Sequence, residues 1–253
     1  MQHILKKTSL KGVSILCALT LAGAVQATGV PGQGTWETSL QARDLDGNLA
    51  NGPEAFYDAY LDVTWLRAGS TNAMYWDTAK TWAANLNVNG VTDWRLPTVI
   101  DTGTTGCNFS YSGGTDCGFN VQTKSGSPTQ YQAGQTVYSE MAHLFYVTLG
   151  NKAYYAPGTG ATQAGYGMTN TGNFQNLQSN TYWSGTEYAP DSVSAWYFST
   201  NVGNQGIRYK DGSFNALAVR PGDVTAAVPE PQTWALALVG LTGVLLARRR
   251  RAL

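Results

Sequence analysis

Charge is the first thing this chain is short of. Only 13% of its 253 residues are Asp, Glu, Lys or Arg, and the formal net charge is zero. The balance hides an asymmetry. Residues 28–228 hold nine Lys and Arg against fifteen Asp and Glu, which leaves them at −6, and the basic surplus sits at the two ends. An acidic body excludes nucleic acid as a partner, because phosphate binding needs a basic face. Histidine is nearly absent. His143 is the only one in the body, and beside Leu144 it reads as a surface or boundary residue of a helix, not a general base. No Gly-x-Ser-x-Gly elbow occurs, and no Gly-rich phosphate loop follows a strand. No internal repeat is visible.

Cysteine is scarce too. Of the three, Cys17 falls in a segment expected to be removed, leaving Cys107 and Cys117. They close a loop of Gly, Ser, Asn and Asp, which reads as a disulfide in an oxidising compartment. Such a loop stabilises by roughly 2–3 kcal/mol through the unfolded chain. One body His and two Cys do not make a zinc site, so no metal ligand set, no catalytic residue and no cofactor is named. Glu140 and Glu187 could serve as a glycosidase acid pair, but any two acids could, and their separation is not readable from sequence. Asp44-Leu45-Asp46-Gly47-Asn48 has acid spacing that hints at calcium. It lacks the Gly placement and distal Glu of an EF-type loop, so it reads as an Asp-Gly turn.

What is present is concentrated at the ends and in two helical stretches. Lys6, Lys7 and Lys11 precede an apolar run, residues 12–25, that ends at Val25-Gln26-Ala27. That is the pattern of a secretory signal peptide, residues 1–27, cut after Ala27. At the other end Pro229-Glu230-Pro231 precedes an apolar run, residues 233–247, and then Arg248 to Arg251. Fifteen helical residues span about 22 Å, short for a hydrocarbon core of about 30 Å. The arginines hold that end in the cytoplasm, so the body between the ends lies outside the inner membrane. This tail, residues 229–251, resembles the PEP-CTERM sorting signal of Gram-negative bacteria. The resemblance implies Sec export, transient membrane insertion through 233–247, recognition by an exosortase, and delivery to the cell surface or extracellular matrix.

Residues 28–59 read as a lead-in with the first strands. Thr28 to Gly34 is Gly/Pro-rich and expected to be flexible, and Trp36 to Ala42 is expected as a strand. Leu61, Val63 and Trp65 alternate on one strand face. From Asp77 as N-cap, Ala79, Trp82, Ala83 and Leu86 fall on one helical face, and Asn87, Asn89 and Gly90 stop the helix. Pro97 ends the extended exit. Residues 99–136 form a polar insertion. Ser139 caps a second helix over 140–149, with Met141, Leu144, Phe145 and Thr148 as its buried face. Residues 182–185, 195–200, 206–210 and 216–220 read as four strands of an antiparallel meander. Residues 223–228 are a linker.

The segments Trp82–Leu86 with Gly90–Thr98, then Tyr182–Thr186, then Ala195-Trp196 with Ala218–Pro221, together resemble the Lcl C-terminal domain family over roughly residues 60–222. The Trp94-Arg95-Leu96-Pro97-Thr98 word also resembles formylglycine-generating-type domains. That likeness implies an α+β, C-type-lectin-like fold: two short helices on antiparallel strands with long polar loops. It transfers no activity. Arg95 is expected as a structural tie to Asp93, Glu140 or Glu187, and Trp183 and Trp196 as core. Tyr111, Tyr131, Tyr154, Tyr155 and Tyr166, in or beside polar loops, are the candidate contacts to a polysaccharide. The expectation is a surface or biofilm-matrix binding module without enzyme activity. The alternatives are a structural matrix protein with no ligand and a cryptic glycan hydrolase.

Overall fold

The computed structural model describes residues 29–103, 116–121 and 138–224. The elements in chain order are α1 (Trp36–Ser39), β1 (Leu40–Arg43), β2 (Ala55–Asp58), β3 (Val63–Leu66), α2 (Trp76–Ala84), β4 (Gly118–Phe119) and α3 (Glu140–His143). Then follow β5 (Thr181–Glu187), β6 (Ser194–Ser199), β7 (Asn204–Tyr209) and β8 (Val219–Pro221). They make two antiparallel four-stranded sheets, β1-β2-β3-β8 and β4-β7-β6-β5, so the fold is α+β. Among the described residues no helix is long and apolar enough to cross a membrane. The run 233–247 lies outside them.

The last strand corrects the expected meander. Only β5, β6 and β7 run as one. β8 instead pairs with β3, placing Trp65 opposite Val219. The exit after α2 joins the two sheets. Arg95 exchanges both backbone hydrogen bonds with Val219 at 2.8 Å, and the Pro97 carbonyl accepts from Gly185 of β5 at 2.8 Å. Proline has no amide to give at that point, so the bridge uses its carbonyl alone.

Helix α2 buries Trp76, Ala79 and Ala83, while Trp82 and Leu86 stay half-buried. It starts one residue before Asp77, with Tyr75 as N-cap and no side-chain cap; Asp77 sits in the first turn. Its acid there still suits the positive end of the helix. Asn89 and Gly90 take positive φ, 51° and 89°, in a tight turn closed by Val88 and Val91.

The second helix is capped as expected. Ser139 accepts from the Ala142 amide at 3.1 Å. After His143 it widens into a π-helical turn, Leu144–Thr148. Every residue from Ser139 to Leu149 is buried, because the helix runs through the core and not over it. This overturns the surface reading of His143, which is 3% exposed. Replacing Ser139 by Ala removes one acceptor from the helix start. The expected cost is about 1 kcal/mol, read as a fall of about 2–4 °C in a thermal melt.

The N-terminal stretch also differs from expectation. Trp36–Ser39 is a single helical turn, and only Leu40–Arg43 is strand. The Gly/Pro segment is docked. The Asn170 side chain accepts from the Val30 amide at 2.9 Å and donates to the Gln33 carbonyl at 3.0 Å. Gly34 and Gly150 both have positive φ and pass so close that a Cβ on Gly150 would lie 2.4 Å from the Gly34 nitrogen. Only glycine fits that crossing.

Two main clusters fill the interior. Phe56, Trp65, Phe145, Phe174, Tyr182 and Phe198 form the heart of one. Trp76, Trp94, Leu96, Trp183 and Ala218 belong to the other. Trp183 and Trp196 are 0% and 1% exposed.

Candidate functional site

The β5-β6-β7 sheet has one face turned inward through Tyr182 and Phe198 and another that carries an open cleft. Directly opposed residues of antiparallel strands share a face. Thr181, Ser199 and Asn204 therefore stand in one row, and Trp183, Tyr197 and Gly206 in the next. Gly206 offers no side chain opposite Tyr197. An open cleft of about 640 Å³ lies on this side of the sheet, lined by Thr181, Tyr197, Ser199, Asn201, Arg208 and Phe214, among others. A volume of that size suits a small ligand or part of a chain.

The aromatic wall is well supported. Phe214 packs against Tyr197 at 5.4 Å and against Trp183 at 4.6 Å between ring centroids. The Trp183 indole N–H is spent on the Met74 carbonyl at 2.8 Å, so Trp183 is backing and Tyr197 is the face. Burial pushes the Tyr197 phenol up, and the charge of Arg208 pulls it part of the way back. The phenol stays protonated at neutral pH, a donor and acceptor beside a cation. Among the described residues Arg208 makes no ion pair. An aromatic face ringed by hydroxyls, amides and one guanidinium can stack on an apolar ring face and bond the polar groups at its edge.

Of the expected ligand tyrosines, Tyr154, Tyr155 and Tyr166 come together. Tyr154 lies 4.8 Å from Tyr155 and 4.7 Å from Tyr166, both edge-on. Tyr166 is 43% exposed. The Gln163 amide bonds the carbonyls of Ala153 and Tyr155 and holds the loop's shape. Tyr111, Tyr131 and Cys107 lie outside the described residues; Cys117 is buried. The sequence barely announces the cleft. Its one sequence signal is Tyr197 between two core aromatics, Trp196 and Phe198, which puts it on the opposite face of the strand.

The acids take other roles. Glu140 receives both terminal nitrogens of Arg95, at 2.7 and 2.8 Å, and also the Thr98 amide at 2.7 Å. Glu187 pairs with Lys210. The two candidate glycosidase carboxylates are thus each held by a separate cation. Carboxylate oxygens of Asp44, Asp46 and Glu54 lie within 4.8 Å of one another. The amides of Leu45, Gly47 and Asn48 donate into that group, so the turn itself satisfies it.

The cleft, the tyrosine cluster and the Arg95–Glu140 pair sit within one recognisable domain. The Lcl C-terminal domain matches residues 54–220, well over half of the chain. The chain belongs to the Lcl C-terminal domain family. The match includes β2, whose pairing with β3 makes it part of the same sheet. Behind the Lcl C-terminal domain, residues 227–251 match the PEP-CTERM protein-sorting motif, with Pro229-Glu230-Pro231 near its start. That motif marks the protein for export, membrane-associated sorting by an exosortase, and an extracellular destination. No curated protein and no solved structure matches the chain.

Proposed function

We propose that this Lcl C-terminal domain is a non-enzymatic polysaccharide-binding module of the cell surface or biofilm matrix of a Gram-negative bacterium. The observation that carries the reading is the cleft where Tyr197 and Phe214 meet Arg208 and a rim of Ser, Thr and Asn. The path there is Sec export, a transient span through 233–247, and exosortase processing. A Cys107–Cys117 disulfide steadies the insertion in the oxidising space beyond the inner membrane. We read the architecture as C-type-lectin-like on the strength of the Trp94–Thr98 word.

A glycan array probed with the exported protein tests the function. Binding to at least one polysaccharide is expected, with Tyr197→Ala and Arg208→Ala each weakening it about tenfold, the loss of one stacking or charged contact. Binding unchanged in both variants would move the site elsewhere. No binding to any polysaccharide would leave a structural matrix protein as the better reading.

A further inference from the structure

We infer that the cleft and the tyrosine cluster are one continuous site, and that it takes an internal stretch of a linear polysaccharide. This rests on the polysaccharide reading above and specifies its ligand: a chain read over several units, not a sugar end.

Two connections join the cleft to the cluster. The first runs over the turn between β6 and β7. Asn201 and Val202 line the cleft there. The Val202 carbonyl accepts the Tyr154 amide at 2.7 Å. Gly167, next to Tyr166, has φ +85°, and a Cβ on it would sit 2.7 Å from the Asn201 carbonyl oxygen. The loop bearing Tyr166 is therefore pressed onto the cleft's own wall, and glycine permits the approach.

The second connection runs along the sheet. Asn204, in the cleft's polar row, stands opposite Phe119 across β4 and β7. Phe119 packs edge-on against Tyr155 at 4.8 Å. Tyr155 then meets Tyr154, and Tyr154 meets Tyr166. A run of four rings thus begins beside Asn204, at the edge of the cleft's polar row, and ends at the exposed Tyr166. Asn201 is exposed at the flank of the strip, where its amide can bond a sugar hydroxyl, and the buried Ser199 hydroxyl holds its side chain in place.

Such a strip offers separate stacking places for separate units of one chain. Once a chain is held in the cleft, its neighbouring units reach the tyrosines at high effective concentration. Affinity then rises with chain length. The two ends of the strip contribute differently: Tyr197 acts on any chain that fills the cleft, and Tyr166 only on chains long enough to leave it.

The test is calorimetry of the full-length chain with size-graded oligosaccharides, disaccharide to octasaccharide. The probes are a neutral β-glucan, a polyuronate and a poly-N-acetylhexosamine. For the series that binds, the octasaccharide is expected to bind at least about tenfold tighter than the disaccharide, one extra stacking contact's worth. Tyr166→Ala should abolish that gain and leave the disaccharide unchanged; Tyr197→Ala should weaken both. A melting curve confirms that Tyr166→Ala is folded, and Tyr166→Phe, which keeps the ring, should restore the gain. Length-independent binding that Tyr197→Ala abolishes would overturn the continuous site and leave the cleft reading intact. Equal loss for short and long chains in Tyr166→Ala would also overturn it. Binding by none of the series would overturn both.

Discussion

Glu140→Ala lowers the stability of this domain by about 3 kcal/mol, near the lower end of what breaking a buried ion pair costs. The side chain of Glu140 is 10% exposed and that of Arg95 is 33% exposed, so the stranded guanidinium regains some water and the upper end is not reached. Two losses combine. Arg95 loses a bidentate partner, and the Thr98 amide loses its acceptor. These contacts tie the buried helix to the segment that joins both sheets, so the damage is not confined to the pair. At this size 1 kcal/mol moves a melting midpoint by about 2–4 °C, so the fall is about 6–12 °C. Thermal and urea melts check it. The double variant Arg95→Ala with Glu140→Ala should cost less than the sum of the single ones, since neither partner is then left buried alone. A fall under 1 kcal/mol in Glu140→Ala would show that Arg95 ties nothing.

Arg95 also shows where sequence reading stops. A guanidinium between Trp94 and Leu96 announces a tie, and the sequence offers Asp93, Glu140 and Glu187 as its partners. Choosing Glu140 needs the fold, because 45 residues separate the two. Local features were the legible ones. The α2 face at Ala79 and Ala83, the Ser139 cap and the Asn89-Gly90 turn each follow from side-chain chemistry within a few residues. Misreadings arose where the environment is supplied from elsewhere. Val219 alternates like a meander strand, yet its partner is Trp65 in the other sheet. His143 lies off the apolar stripe, yet its helix is enclosed on every side. The candidate site divides in the same way. Tyr154, Tyr155 and Tyr166 could be picked out as aromatics in polar loops. The cleft could not, because it needs Phe214, from the segment after β7, to pack beside Tyr197 of β6.

His143 and Asp58 together set how the domain responds to acid. Asp58 is fully enclosed. Burial pushes its carboxyl up to about 6, against the pull of the Tyr60 and Leu61 amides and the Thr148 hydroxyl. The folded protein therefore binds the Asp58 proton at a pH where the unfolded chain, titrating near 3.9, has released it. Asp58 favours folding at low pH, and that contribution is lost as pH rises through about 6. His143 runs the other way. Burial drops it to about 3, so the unfolded chain takes up the proton first, near 6.5. Its contribution is lost as pH falls below that value. From pH 7 to pH 5, Asp58 adds about 1 kcal/mol and His143 removes about 2 kcal/mol. The two oppose each other, and the unaltered protein should lose only about 1 kcal/mol across this window, read from its urea midpoints. Asp58→Asn removes the compensation. Its stability should fall by about 2 kcal/mol over the same two pH units, the slope of His143 alone. His143→Leu should reverse the sign and grow more stable toward pH 5. The absolute stability of either variant is not the readout; the slope is. An Asp58→Asn slope equal to that of the unaltered protein would mean that Asp58 stays ionised in the fold down to pH 5 and titrates as it does in water.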